Sequence, residues 1–281
     1  MKISFKKSDT SDTEKYVKLY RKCFHKYPIK KNSVYLNWLY NQNPLGKFIG
    51  IDAFVGETLI GQVGGIPQEF NFRNEKIKIL LSLNVCVDPK HRGKNLFSEM
   101  ANRLVEYASD EAYFYIIAVC NEYSTYTFKK SIDMEYISNL DVLLGYGNLD
   151  LTKFVSKNDY FFQIWNQERI KWRISNPYNK VTIYNEYSKI KFISSSIFSF
   201  IKTFTYLDNK NYQLKFDKKK TNIFPSLFLG LIPNIQKKKF INVPNFMKPS
   251  PLNFLIKDLK KSKIKIDKNE CIISFLDFDV Y

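Results

Sequence analysis

A basic turn follows an apolar run in the stretch "VCVDPKHRGKNLF", which spans residues 85–97. The order of residue types predicts a strand, then a turn, then a helix. Such a junction directs free backbone N–H groups and the positive end of the helix dipole at one point. Gly93 lets the main chain approach a ligand closely, and Arg92 and Lys94 add positive charge. We therefore expect this turn to bind a phosphate-containing anion.

Other common chemistries find little support in the sequence. Neither the GxGxxG pattern of dinucleotide-binding proteins nor the GxxxxGK[ST] phosphate loop is present, so neither NAD nor ATP is indicated. The two histidines are too few for a His-based triad, and the four cysteines show no CxxC spacing. Cys86 and Cys120 lie in apolar runs, which predicts reduced and buried thiols. We expect no metal.

The overall charge is strongly positive, but its distribution lacks a nucleic-acid-binding pattern. The formal net charge is +17, and only six of the 44 basic residues are Arg. The lysines are spread along the chain without an RNA-binding or zinc-finger motif, so nucleic acid is not the expected partner. The first residues are charged early and no long apolar run follows, which predicts a cytoplasmic protein without a transmembrane segment. The charge also suits a phosphorylated ligand or peripheral contact with a membrane.

The chemistry-bearing turn lies within an alternation of helical and strand-like patterns. Apolar positions recur every three to four residues in the predicted helices, and every second residue or continuously in the predicted strands. This pattern predicts an α/β unit, with helices over 11–25, 33–42, 96–108 and 122–131, and strands around 48–66, 76–87, 112–120 and 135–147. The C-terminal sequence from residue 254 predicts a helix, a polar turn and a last strand.

The second half of the sequence contains a faint echo of the first. Segments 35–48 and 169–181 each carry a Trp, then Asn-Pro, then a strand-like run. Trp38 and Trp172 are expected to be packing residues. We predict two domains, at 1–147 and 148–281, the second a degenerate repeat of the first.

The turn also resembles a known motif. Arg92 to Phe97 is similar to the R/Q-x-x-G-x-G/A signature of the GNAT superfamily of acyl-CoA N-acyltransferases. Asn95 stands where that family usually has Gly, and Asn accepts left-handed backbone angles readily. Phe97 stands where Gly or Ala is usual, so its ring must turn into the core or crowd the pyrophosphate.

A second stretch strengthens the resemblance. The family has an Asn at the head of the next helix, which runs N-x-x-A-x-x-L-Y-x-K, and "NEYSTYTFKK" at 121–130 follows the same frame after an apolar strand. The resemblance implies the GNAT fold over residues 1–147. That fold is a mixed, mostly antiparallel sheet with helices on both faces, and a second GNAT-like α/β unit would follow.

The resemblance also implies acetyl-CoA as co-substrate, lying between two splayed central strands. Its pantetheine would pair with the backbone at 85–87, and its pyrophosphate would rest on the amides of 93–97. The residues expected to bind it are Val85, Cys86, Val87, Arg92, Gly93, Lys94, Asn95, Leu96, Phe97, Asn121 and Phe128.

Catalysis in this family needs a base for the attacking ammonium and a proton for the departing thiolate. A Tyr often gives that proton, but this sequence has Phe128 at the matching position. Tyr126 is the replacement we favour, with Tyr123 as an alternative. Glu69 and Asn84 are candidates for the base, Asn84 by holding a water. Further acidic candidates lie near the C-terminus, namely Asp277, Asp279 and the terminal carboxylate of Tyr281.

The resulting prediction is an N-acetyltransferase acting on a primary amine of a small molecule. An amino sugar carried on a nucleotide or lipid diphosphate would suit the positive charge. Two alternatives stay open. One is an aminoacyl or peptidyl transferase of the tandem GNAT type that uses aminoacyl-tRNA. The other is a non-catalytic acyl-CoA-binding protein, which Phe97 and Phe128 favour. The sequence does not indicate the oligomeric state.

Overall fold

The structure is a computed structural model, and it contains two compact units that are not consecutive in the chain. It describes residues 2–24, 32–147, 149, 159–186, 189–198, 201–208, 225–235, 237–248, 250–262 and 265–278. The first unit comprises residues 1–69, 77–136 and 253–264, and the second comprises 70–76, 137–252 and 265–281.

Within the described residues, helices and strands alternate through both units. The α-helices are α1 Glu14–Cys23, α2 Ser33–Asn41, α3 Leu96–Asp110, α4 Glu122–Ile132 and α5 Gln167–Ile174. The strands are β1 Ile3–Lys7, β2 Ile49–Val55, β3 Thr58–Phe72, β4 Glu75–Ser82, β5 Cys86–Val87, β6 Tyr115–Cys120, β7 Glu135–Asn139, β8 Asp141–Tyr146, β9 Phe161–Gln163, β10 Val181–Glu186, β11 Lys189–Phe198, β12 Ile201–Asp208, β13 Pro225–Leu231, β14 Phe240–Asn242, β15 Asn253–Asp258 and β16 Cys271–Ser274.

The first unit is built on a mixed sheet. Strands β1, β2 and β3 pair antiparallel in chain order, and β3 also pairs antiparallel with β5. Strand β4 runs parallel to β6, and the residues of β6 are almost all buried, as expected for an apolar strand covered on both faces of the sheet. On its other side β6 pairs antiparallel with β15.

Helices cover both faces of this sheet, as predicted for the GNAT fold. A Cβ at Gly61 of β3 would meet the side chain of Met100 in α3. The next residue, Gln62, accepts a hydrogen bond from Tyr20 of α1. Because neighbouring strand residues point to opposite faces, α1 and α3 lie on opposite sides of the sheet. The fold class predicted from the sequence is confirmed.

The second unit has its own core. In it β10, β11 and β12 form an antiparallel meander, and β13 pairs parallel with β12. Strand β8 lies antiparallel to both β13 and β14. The buried cluster of this unit consists of Leu143, Leu149, Ile193, Phe204, Phe228 and Phe240.

Two features of the sequence echo are visible in the elements. Helix α2 is followed by Asn43-Pro44 and then by β2, and α5 is followed by Asn176-Pro177 and then by β10. Both helices begin after an Asn whose side chain accepts a hydrogen bond from the first turn. The prediction that the second half repeats the first, with a division at residue 147, stays a prediction.

The predicted helix near the C-terminus is wrong. Residues 253–258 form β15 instead, and Phe254, Leu255 and Ile256 are all buried in succession. A short apolar run is compatible with a buried helix or a buried strand, and here the free side of β6 decides for the strand.

Candidate active site

Two central strands of the first unit separate close to the basic turn. The parallel ladder between β4 and β6 joins four residue pairs, the last of them Ser82 with Ala118. Beyond it the chain that follows β4 stays paired with β3, where Val87 pairs with Gly61. Strand β6 continues with β15 as its partner up to Cys120. The two strands therefore diverge after Ser82 and Ala118, which opens a cleft between their carboxyl ends.

A β-bulge marks the point of divergence. The amide of Leu83 donates to the carbonyl of Gly64, whereas Cys86 pairs with Gln62. Two residues, Asn84 and Val85, are thus accommodated opposite one residue of β3. Asn84 has φ 55°, in the left-handed region that Asn tolerates better than most residues.

The segment after the bulge is tied to α1. The buried carboxylate of Asp88 accepts hydrogen bonds from its own 3-10 turn, at the amide of Lys90, and from Lys22 Nζ at 2.8 Å. Cys23 Sγ lies 3.5 Å from the carbonyl oxygen of Val87. These contacts fix the chain that enters the basic turn.

The basic turn is exposed and open. Residues 92–95 are all exposed, and Gly93 has φ 79° with no atom within 4 Å of the place where a Cβ would stand. Asn95 precedes α3 with φ 58°, as its tolerance of this region predicted, and its side chain does not cap the helix. The first amides of α3 therefore remain available to an anion, beside Arg92 and Lys94.

Phe97 turns away from the basic turn and into the core. Its ring meets that of Phe128 edge-on, with 5.1 Å between the ring centroids. Phe128 is only 3% exposed, so this pair joins α3 to α4 in the interior. A hydrogen bond of 2.6 Å between the hydroxyls of Ser98 and Ser131 joins the same helices. The bulk of Phe97 thus leaves the turn free.

The start of α4 follows the carboxyl end of β6. Asn121 caps this helix by accepting a hydrogen bond of 2.8 Å from the amide of Ser124. Tyr126 and Tyr123 on α4 are 64% and 77% exposed. Both hydroxyls are accessible to a ligand, in contrast to the buried ring of Phe128.

A chain of buried hydrogen bonds ends at the bulge. Tyr20 donates to Gln62 Oε1, and because a hydroxyl has one proton, the 2.6 Å contact between Tyr20 and Tyr40 must use the proton of Tyr40. The oxygen of Tyr40 then accepts from Asn84 Nδ2 at 3.0 Å. The direction of this chain fixes the carboxamide of Asn84. Its Oδ1 is buried and has no hydrogen-bond partner among the described residues.

Asp52 lies beside the same network. Its carboxylate accepts hydrogen bonds from Tyr16 at 2.8 Å and from Ser8 at 2.7 Å. Burial raises the pKa of Asp52 to about 6, although these hydrogen bonds act in the opposite direction. The sequence prediction missed Asp52, Gln62, Tyr20 and Tyr40. The available signal was a polar residue inside an apolar strand, in "IGIDAFV" and "LIGQVGG".

The acidic candidates do not gather at the bulge. Glu69 lies five residues along β3 from Gly64, which is about 16 Å in a strand. Asp277 belongs to the second unit, where it is buried and accepts hydrogen bonds from Ser274 and Trp165. Asp279 and Tyr281 lie outside the described residues. The bulge, the basic turn and the start of α4, by contrast, all lie at the ends of the diverging strands.

Among the described residues, no three His, Cys, Asp or Glu side chains lie close enough together to hold a metal ion. None of the helices described in the structure is long and apolar enough to cross a bilayer.

Comparisons with known proteins agree with this geometry. Residues 4–129 match the family profile described as an acetyltransferase (GNAT) domain. Three solved structures share the fold over 92% of this chain. A GCN5-related N-acetyltransferase from Kribbella flavida has a TM-score of 0.60 at 9% identity, with 72% of that chain covered. One from Anabaena variabilis has a TM-score of 0.57 at 8% identity, with 73% covered.

The third is a probable N-acyltransferase from Enterococcus faecalis V583, with a TM-score of 0.56 at 11% identity and 73% of its chain covered. No curated protein matches the sequence. The splayed strands and the open turn after β5 lie inside the matched residues. Residues 4–129 therefore match the profile of a GNAT acetyltransferase domain, and the chain shares the fold of the GNAT N-acetyltransferases of known structure.

Proposed function

We propose that this protein transfers the acetyl group of acetyl-CoA to a primary amine of a small molecule. The observation that carries the proposal is the opening between β4 and β6 next to an exposed left-handed turn that begins a helix. A thioester can enter between the separated strands while its diphosphate rests on the turn. The GNAT match of the same residues supports this co-substrate.

The co-substrate would be bound largely by main-chain groups. Residues 85–87 bring the strand edge to the cleft, where the amides of pantetheine can pair with the backbone. The amides of 93–97 and the side chains of Arg92 and Lys94 would hold the pyrophosphate. Asn121 would support the site through the start of α4, and Phe128 through its contact with Phe97.

Asn84 is the group that we propose for the attacking amine. Its Oδ1 is oriented by the Tyr20–Tyr40 chain and has no hydrogen-bond partner among the described residues, so it can accept a hydrogen bond from an N–H of the acceptor or from an O–H of a bound water. The amine nitrogen then attacks the thioester carbonyl and loses a proton. Glu69 is the proposed final acceptor of that proton, and its place on β3 requires water between it and the amine.

Tyr126 is the proposed donor to the departing thiolate. The family position for that donor holds Phe128, which is buried and has no proton to give. The hydroxyl of Tyr126 is exposed on the same helix, so it can approach the sulfur as the C–S bond breaks.

For the acceptor we propose an amino sugar linked to a nucleotide or lipid diphosphate. The net charge of +17 would attract such an anion, and its amine would be the nucleophile. We place the reaction in the cytoplasm, since the four cysteines are thiols and three of them are buried.

The test is acetyl-CoA binding by thermal shift, followed by release of free thiol across a panel of amines. Gly93→Leu should weaken acetyl-CoA binding at least about tenfold, because the new side chain fills the open space at the turn. Gly56→Leu is the matched control. Gly56 also has positive φ and open surroundings, but it lies in the hairpin between β2 and β3.

Both variants should lose similar stability from the strained backbone. Equal acetyl-CoA affinity in both would contradict the proposed site. Binding of acetyl-CoA without thiol release for any amine would instead favour the non-catalytic alternative. In that alternative Phe128, at the family's position for the proton donor, is only a buried packing residue.

A further inference from the structure

An apolar surface of the second unit faces outward beside its core. In β8, Leu143 is fully buried, so its neighbour Leu144 and the next alternate residue, Tyr146, point to the other face of the sheet. Ile241 of β14 pairs with Leu144 and shares that face. Tyr146 is 56% exposed and Ile241 is 68% exposed.

The short turn after β14 carries two further apolar side chains. Phe246 and Met247 lie in a 3-10 turn, Asn245–Met247, and are 88% and 62% exposed. The backbone of this turn is ordered, since Met247 N donates to Pro244 O at 3.0 Å and Lys248 N to Asn245 O at 3.1 Å. Several large exposed apolar side chains within one short stretch of a unit are typical of an interaction surface. We use the term apolar face for the exposed apolar side chains of β8, of β14 and of the turn after β14, namely Tyr146, Ile241, Phe246 and Met247.

The charges beside the apolar face have one sign. Lys238 and Lys239 precede β14 directly and are exposed, and Lys248 follows the 3-10 turn. The nearby Asp141 is paired with Lys237 at 3.2 Å. From residue 218 to residue 257 the sequence contains eight lysines and not one Asp or Glu. A partner that complements this surface must offer apolar contact and negative charge together.

We propose that the apolar face docks on the surface of an anionic lipid bilayer. Aromatic and aliphatic side chains enter the boundary between headgroups and acyl chains, while the adjacent lysines meet the anionic headgroups. The aliphatic side chains of Ile241 and Met247 favour this partner over a nucleic acid, which is bound by stacking rings and hydrogen-bonding groups among the charges. The inference is independent of acetyl transfer and concerns the second unit alone.

The first test is flotation of the full chain with vesicles, without acetyl-CoA or an acceptor. Vesicles of phosphatidylcholine alone are compared with vesicles that contain phosphatidylglycerol at about a third of the lipid. We expect binding to the anionic vesicles only, weakening as salt rises because the lysine contribution is screened. Absence of binding to anionic vesicles at low salt would overturn the proposal.

The second test locates the contact with matched variants. Lys238→Gln/Lys239→Gln should weaken binding about thirtyfold, whereas Lys260→Gln/Lys261→Gln, with the same change in charge in the first unit, should have much less effect. Equal losses in the two pairs would show that only net charge matters and would overturn the assigned surface.

The third test reports on insertion. Phe246→Trp should be quenched by brominated phosphatidylglycerol beyond the signal of the native tryptophans, whereas Tyr178→Trp, at a site 47% exposed in the same unit, should not. No added quenching at position 246 would contradict insertion. If Phe246→Ser/Met247→Ser converts a wild-type dimer to a monomer and leaves vesicle binding intact, the face is a contact between two copies and the proposal fails.

Discussion

Tyr126 is the residue on which the proposed chemistry depends most directly, through its hydroxyl. A general acid contributes roughly a hundredfold or more to a rate, so Tyr126→Phe should lower kcat about a hundredfold. Because the side chain is 64% exposed, the free energy of unfolding should change by less than about 0.5 kcal/mol. Thiol release at saturating acetyl-CoA measures the effect.

Tyr123→Phe is the control for this prediction. Tyr123 lies one turn earlier on α4 and is equally accessible. If its variant loses as much activity as Tyr126→Phe, or if Tyr126→Phe keeps its full rate, the assignment of the proton donor is wrong.

The residues of the basic turn could be predicted from the sequence because they belong to a motif with fixed spacing. The open turn at Gly93 and the left-handed Asn95 follow from local backbone preferences, which act between near neighbours. The orientation of Asn84 does not. It depends on Tyr20, Tyr40 and Gln62, which reach the bulge from three other elements. No local pattern encodes such a contact.

At the scale of elements, Asp52 joins a strand to a helix by way of Tyr16, and this contact should depend on pH. Burial raises the pKa of Asp52 to about 6, above the value near 3.9 expected in the unfolded chain. The native state therefore retains the proton at pH values where the unfolded chain has lost it. The free energy of unfolding should fall as pH rises from about 4 to about 6, by roughly 3 kcal/mol, and level off above that.

Asp52→Asn should remove this part of the pH dependence, because the amide stays neutral throughout. Urea unfolding at several pH values between 4 and 7 measures it. Asp277→Asn is the companion variant, since burial also raises the pKa of Asp277 to about 6. Each variant should flatten part of the slope. An unchanged slope in Asp52→Asn would contradict the raised pKa.

The elements themselves were predictable to different degrees. Helix α3 shows apolar residues at every third or fourth position, and the structure has it over residues 96–110. Strand β15 has no such signature, because the short apolar run in "NFLIKD" is compatible with a buried helix as well as with a buried strand. It becomes a strand through pairing with β6, more than a hundred residues earlier in the sequence. Periodicity reports which face of an element is buried, and it does not report which partner buries it.

At the scale of the whole molecule, a single cut in the sequence does not separate the two compact units. Residues 253–264 return to the first compact unit, so the chain passes through the second unit and comes back. The side chain of Asn253 donates to Thr125 Oγ1 at 2.7 Å, at the start of α4. The C-terminal segment thus contacts the same helix that carries the proposed proton donor.

The fragment 1–147 should accordingly fail to fold by itself. It lacks β15, which leaves one side of β6 unpaired and removes the buried side chains of Phe254, Leu255 and Ile256. Each buried side chain of this size contributes about 1.5–3 kcal/mol, so the loss is comparable with the whole stability of a typical domain, about 5–15 kcal/mol. Residues 250–262 joined to the fragment by a flexible linker should restore a cooperative thermal transition by circular dichroism. The same linker with a scrambled segment should not, and a cooperative transition in the fragment alone would contradict this account.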